Sequence, residues 1–253
     1  MIQITQLRTT LLVGLAASFG VGWVALFAFW PLGSLRIVSP RWSEATIFLW
    51  DAALSLLFFL QHSGMARTKV RTRVAVVTTP IYQPAIYAIS SGIVLVTVLL
   101  LWQPSAIHLF ALARPWRYVA QGFSIASLLL FVWAFRSLRA FDPLGLSPLI
   151  GHLRSKPFRS CAFAATGAYR LVRHPLYLAA IVLLWSCPDV NADRLLFNGL
   201  WTAWIVAATF LEEVDLIAEF GDTYRFYRRS VPMLIPLTRT RSGRHEEEEQ
   251  LPS

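Results

Sequence analysis

The chain has 253 residues, 56% hydrophobic and 15% charged, with a formal net charge of +9. Soluble domains hold roughly 25% charged residues, so this composition excludes an ordinary soluble domain and marks an integral membrane protein. Ten Trp and seventeen Phe suit the membrane–water interface, where aromatic rings concentrate.

A helix needs about 20 apolar residues to cross a bilayer, so the gaps between charges mark the spans. Nothing is charged between Arg8 and Arg36, which makes residues 9–30 the first. A signal peptide is the rival reading of that stretch; its apolar core would be shorter and would end on a small-residue cleavage site, which does not follow here. Residues 45–60, interrupted by Asp51, form the second span, 81–102 the third and 118–135 the fourth. Residues 175–188 are short, and alone they read as re-entrant. Adding 171–174, with Arg173 snorkelling, brings them near spanning length. Residues 195–211 supply the last. The expected fold is an all-α polytopic transmembrane helix bundle of about six spans, with five as the alternative. It occupies residues 1–237 as a single domain, and the polar tail 238–253, ending in EEEEQLPS, is expected to be disordered.

Of the 23 Lys and Arg, only Arg36, Arg41, Arg114, Arg117 and Arg194 fall in outer loops when both termini are placed in the cytoplasm. A basic protein can instead bind nucleic acid. Here the positives sit in loops that face anionic lipid, so membrane lipids, and not nucleic acid, are the expected partners. Cys161 and Cys187 are isolated, and neither a disulfide framework nor a metal site is expected.

This topology brings scattered ionisable groups to one level, the cytoplasmic interface. His62 and Arg67 end the second span, Asp142 follows the fourth, Arg173 and His174 open the fifth, and Glu212 and Glu213 close the sixth. Proline at a first helical position is pre-organised, and the residue before it is pushed out of helical geometry. His174 is therefore the expected N-cap of the helix at Pro175. A helix N-terminus beside Arg173 attracts an anion, and the two glutamates attract a cation. The hairpin suits a ligand bearing both charges. A simple ion pair of Arg173 with Glu212 is the other reading, and spacing leaves both open.

At these residues the sequence resembles a superfamily of integral membrane methyltransferases that includes the isoprenylcysteine carboxyl methyltransferases and phospholipid methyltransferases. Their signature pairs Arg-His-Pro-x-Tyr with a downstream Glu-Glu and a tail of FG-x-x-Y-x-x-Y and VP-x-x-x-P. Here the matches are YRLVRHPLY (169–177), LEEVDLIAEFGDTYRFY (211–227) and VPMLIP (231–236). LQHSGMARTKVR (60–71), IYAISSGIVLVTVLLLWQP (86–104) and FDPLGL (141–146) are similar to bacterial methanethiol S-methyltransferases and their NnrU-like relatives. Gln83-Pro84 and Pro143 depart from that pattern.

The resemblance implies S-adenosylmethionine as methyl donor, a zwitterion that suits a two-charge site, held by residues 167–236. Tyr169, Arg173, His174, Pro175, Tyr177, Glu212, Glu213 and Tyr224 are the implied cofactor residues, Glu213 the weaker of the two acids. Consecutive helical residues diverge by about 100°, so one glutamate is expected to face the site. Tyr227 reads better as an interfacial aromatic. His62, Asp142 and Arg228 are the candidates for acting on the acceptor, His62 as general base or substrate contact and Arg228 as a charge that holds an anionic nucleophile. Asp51 reads as a structural hydrogen-bond acceptor or as part of a substrate cavity. The implied reaction is methylation of a small thiol on the cytoplasmic side of a bacterial inner membrane. Carboxyl methylation of a prenylcysteine, or of another lipophilic acceptor, is the enzymatic alternative. An NnrU-like role in nitrogen-oxide metabolism is the non-enzymatic one.

Overall fold

The computed structural model describes residues 2–29, 41–67, 70, 72–73, 78–138, 146–154 and 165–236. Among the described residues, eight α-helices carry the fold: α1 (Ile2–Phe29), α2 (Glu44–Ala66), α3 (Gln83–Leu101), α4 (Arg114–Ser137), α5 (Leu146–Leu153), α6 (Pro175–Trp185), α7 (Ala192–Phe220) and α8 (Asp222–Ser230). The fold is an all-α polytopic helix bundle. Among the described residues, four helical segments are long and apolar enough to cross a membrane: Glu44–Ala66, Pro80–Leu101, Arg114–Ser137 and Ala192–Phe220. They coincide with the second, third, fourth and last expected spans, and the 28-residue α1 covers the first.

One expectation is corrected. The fifth expected span is α6, only 11 residues long, or about 16 Å of rise against a hydrocarbon core of about 30 Å. Residues 171–174 do not lengthen it, because Pro175 forces His174 to a non-helical ψ of 65°. A short strand pair, which no sequence pattern announced, accompanies the helices. His108–Ala111 (β1) and Asp189–Asn191 (β2) pair antiparallel. Arg117 locks this ribbon by donating from Nη1 and Nη2 to the two carboxylate oxygens of Asp189, at 2.6 and 2.5 Å, which holds that carboxyl below its usual range.

The described residues fall into two compact units. The first comprises α1, α2, α3, α5, the strand pair and α7 as far as Trp204. Local chemistry sets its helix ends. Ser43 Oγ accepts from Thr46 N at the start of α2, satisfying one of the orphan donors of a helix N-terminus. Pro80 and Pro84 stand in first-turn positions ahead of and within α3, where a missing N–H is harmless. Helix α1 packs on α3 and α5, and α2 packs on α3. Ala16, Ala85 and Leu149 are fully buried there, and the two alanines let helices approach closely.

Three acidic side chains hold the segment that follows α3. Glu44 accepts from Ser105 Oγ (2.6 Å) and Ala106 N (3.0 Å). Asp193 accepts from Trp102 Nε1 (3.1 Å) and Ser105 N (3.0 Å). Asp51 Oδ1 accepts from Gln103 N at 3.0 Å, the structural bond that was one of its two readings.

The second unit comprises α4 from Tyr118, a 3-10 turn at Gly167–Arg170, α6, α7 from Ile205, and α8. Buried hydroxyls join α4 to α6: Ser127 Oγ donates to Ala179 O at 2.6 Å. Gly167 has φ +54°, and a Cβ there would collide with Ser137 Oγ. Ser137 in turn anchors both sides of the glycine, accepting from Thr166 Oγ1 (2.9 Å) and Ala168 N (3.3 Å). A residue with no Cβ is required at this close approach. Gly221, at φ +56°, ends α7 and turns the chain into α8.

Candidate active site

The second unit gathers the charged residues around one buried carboxylate. Glu213 is 3% exposed. Its Oε1 accepts from Arg173 Nε at 2.6 Å and from His174 Nε2 at 3.3 Å, and its Oε2 lies 3.3 Å from Arg228 Nε. A buried charge is tolerated only when it is paired and hydrogen-bonded, and Glu213 is both. Arg173 is the matching hub of opposite sign. Besides Glu213, its Nη1 donates to the carbonyls of Val231 (2.6 Å) and Arg228 (2.8 Å). Arg173 is therefore a buried partner, and the snorkelling anchor of the sequence reading is corrected.

The VPMLIP tail explains how the Arg-His pair is held. Backbone N–H groups of Arg173 and His174 donate to Pro232 O (2.8 Å) and Met233 O (3.2 Å). Pro175 takes the first position of α6, and His174 is its N-cap residue without a side-chain cap bond. The freed imidazole stacks on Tyr177, with centroids 5.6 Å apart and planes 12° from parallel. It lies between the two glutamates, with Nδ1 3.7 Å from Glu212 Oε2. That separation is too long for a hydrogen bond. Glu212 Oε2 is buried without a hydrogen-bond partner among the described residues, while the Glu212 side chain is 38% exposed.

The ion pair across the hairpin thus uses Glu213, not Glu212. Glu213, the lesser of the two as an expected cofactor residue, is the buried hub, and Glu212 is the carboxylate with an oxygen to spare among the described residues. One helical step of about 100° separates their directions.

Helix α8 closes the cluster. Tyr224 and Tyr227 are both buried, their rings 5.7 Å apart and edge to face. Tyr227 donates to Tyr169 O at 2.5 Å, so it is a buried clasp and not an interfacial aromatic. Phe226, 75% exposed, has that outward position. Burial, then the Glu212 charge, pushes the Tyr169 phenol up. Burial and the Glu213 charge do the same at Tyr224. Both are neutral donors at physiological pH. Arg228, proposed from sequence to hold a nucleophile, is committed to Glu213.

His62 belongs to the first unit. Tyr87 OH lies 2.8 Å from its Nε2 and Ser91 Oγ 3.1 Å from its Nδ1. Phe58 stacks on the ring at 5.1 Å, and Trp204 meets it edge-on at 5.5 Å. Asp142 lies outside the described residues.

An apolar bundle with a buried Arg-His-Glu cluster at the mouth of a short helix is compatible with an integral membrane methyltransferase. Comparison with known proteins agrees. Methanethiol S-methyltransferase of Pseudomonas sp. (strain GM41(2012)) is 34% identical over 199 residues, 77% of this chain and 75% of the relative. The methanethiol S-methyltransferase of Crocosphaera subtropica is 31% identical over 77% of this chain and 76% of its own. Nurim of Homo sapiens is more distant, 27% identical over 85% and 82%. No family model and no solved structure matches. The chain belongs to the methanethiol S-methyltransferase family of membrane methyltransferases.

Proposed function

We propose that the protein transfers a methyl group from S-adenosylmethionine to a small thiol of the methanethiol type, at the cytoplasmic face of a bacterial inner membrane. The observation that supports the cofactor assignment is Glu212 Oε2, a buried acceptor without a hydrogen-bond partner among the described residues, 3.7 Å from His174 Nδ1. The ammonium of an amino-acid moiety supplies the missing donor. The N-terminus of α6 offers main-chain N–H groups for the carboxylate of the same moiety. The residues present therefore fit a zwitterionic methionine group. Tyr169, Tyr177 and Tyr224 are the aromatic residues that would flank it.

When bound, S-adenosylmethionine supplies an electrophilic sulfonium methyl. The chain's own residues align the partners, exclude water and let the acceptor shed its proton. Glu213, Arg173 and the 231–233 carbonyls keep His174 and Pro175 in place. The acceptor assignment rests on the names of the relatives that cover about three quarters of this chain.

Titration of S-adenosylmethionine into detergent-purified protein tests the cofactor half. Saturable binding is expected, and Glu212→Gln weakens it by roughly 1–3 kcal/mol, the range for hydrogen bonds to charged groups, with the melting temperature unchanged. Equal affinity in wild type and Glu212→Gln would remove Glu212 from the site.

A further inference from the structure

Glu212 Oε2, the oxygen that the ammonium of the cofactor needs, is out of contact with solvent. Its neighbours His174, Glu213 and Tyr224 are buried as well. No ligand reaches this oxygen while every wall of the site stands where it is. One wall must move.

Three of the walls are fastened to spanning helices of the second unit. The two glutamates are part of α7 itself. Helix α6 is joined to α4 by Ser127, which donates to Ala179 O, and by the Ser124–Ser186 hydroxyl pair at 2.7 Å. The turn at 167–170 hangs from Ser137 of α4.

Helix α8 is different. It is nine residues long and follows Gly221, which has φ +56° and ψ −129°. A residue with a side chain adopts that conformation only under strain. A Cβ at Gly221 would nevertheless meet nothing within 4 Å, so the glycine serves backbone freedom and not close packing. The far end of α8 is pinned, because Pro232 and Met233 accept from the main chain of Arg173 and His174. Between these ends, Tyr227 donates to Tyr169 O and Arg228, 51% exposed, pairs with Glu213.

We propose that α8 is a strap, hinged at Gly221, that lifts to admit S-adenosylmethionine and closes over it. The proposal rests on the cofactor reading above. Tyr224 is the ring that covers the site, since it lies within electrostatic reach of both Glu212 and Glu213. Lifting exchanges one neutral hydrogen bond and one half-exposed ion pair for water, each of modest net worth. It leaves the hub intact, because Glu213 keeps Arg173 and His174 and no buried charge is stranded. Short elements held in this way open locally without global unfolding.

Hydrogen exchange of the detergent-purified full chain, read by mass spectrometry with and without S-adenosylmethionine, tests the strap. At a hundred times the dissociation constant, an opening that must release the cofactor is suppressed about a hundredfold. Amides of residues 225–230 should slow by that order, while those of α7 before Glu212 keep their rates. Gly221→Ala strains the closed strap, so it should speed cofactor dissociation by roughly tenfold without slowing association. The wild-type exchange measurement carries the test if Gly221→Ala does not fold. Saturable cofactor binding with unchanged exchange in α8 overturns the strap and leaves the cofactor reading standing. Wild-type dissociation in a folded Gly221→Ala protein overturns the hinge. Absence of any saturable binding by the wild type overturns the cofactor reading and the strap with it.

Discussion

Replacing Glu213 by alanine should lower stability by about 3–5 kcal/mol, the cost of stranding a buried charge by removing its partner. Arg173 would keep its two carbonyl acceptors, Arg228 O and Val231 O, but its positive charge would face no anion in a site from which water is largely excluded. His174 and Arg228 would lose the same carboxylate. Cofactor affinity should fall with stability, because the Arg-His pair is no longer fixed. Glu212→Gln should do the opposite, weakening affinity at unchanged stability. Thermal unfolding in detergent with and without S-adenosylmethionine separates the two. A Glu213→Ala protein as stable as wild type would show that the hub carries no structural weight.

The second large effect lies in the first unit. Asp193→Ala removes the acceptor for Trp102 Nε1 and Ser105 N, both buried. Each donor deprived of its acceptor costs about 1–3 kcal/mol, so a loss of about 2–6 kcal/mol is expected. Glu44 and Asp51 still hold Ala106, Ser105 and Gln103, so the damage should be local. Hydrogen exchange should accelerate across residues 102–107 and stay slow in α3. Asp193→Asn, which keeps one acceptor oxygen, should fall between. Uniform exchange across the whole unit would mean that the segment is not an independent lock.

The spans were legible because lipid imposes a single rule, a long run with few charges, and α2, α3, α4 and α7 obey it. Pro175 likewise announced the start of α6, since its geometry is local. What happens before Pro175 is decided by tertiary contacts. Arg173 and His174 bond to carbonyls near 232, almost 60 residues away, and nothing in the local composition says so. The choice between Glu212 and Glu213 depends on helix rotation, which adjacent identical residues do not encode. Tyr224 and Tyr227 did share a face at i and i+3, but which side of α8 is buried depends on the clasp to Tyr169 O. The partners of His62 were hidden for the same reason: Tyr87 and Ser91 lie 25 and 29 residues away, in a segment read only as an apolar span. The short strands escaped because their pairing joins residues more than 75 apart.

The most direct measurement of the central claim is chemical. Purified protein given S-adenosylmethionine and methanethiol should release dimethyl sulfide into the headspace, quantified by gas chromatography, with one S-adenosylhomocysteine formed per sulfide. Farnesylcysteine, offered in parallel, should remain unmethylated. Methylation of farnesylcysteine and none of methanethiol would contradict the account and make the protein a carboxyl methyltransferase.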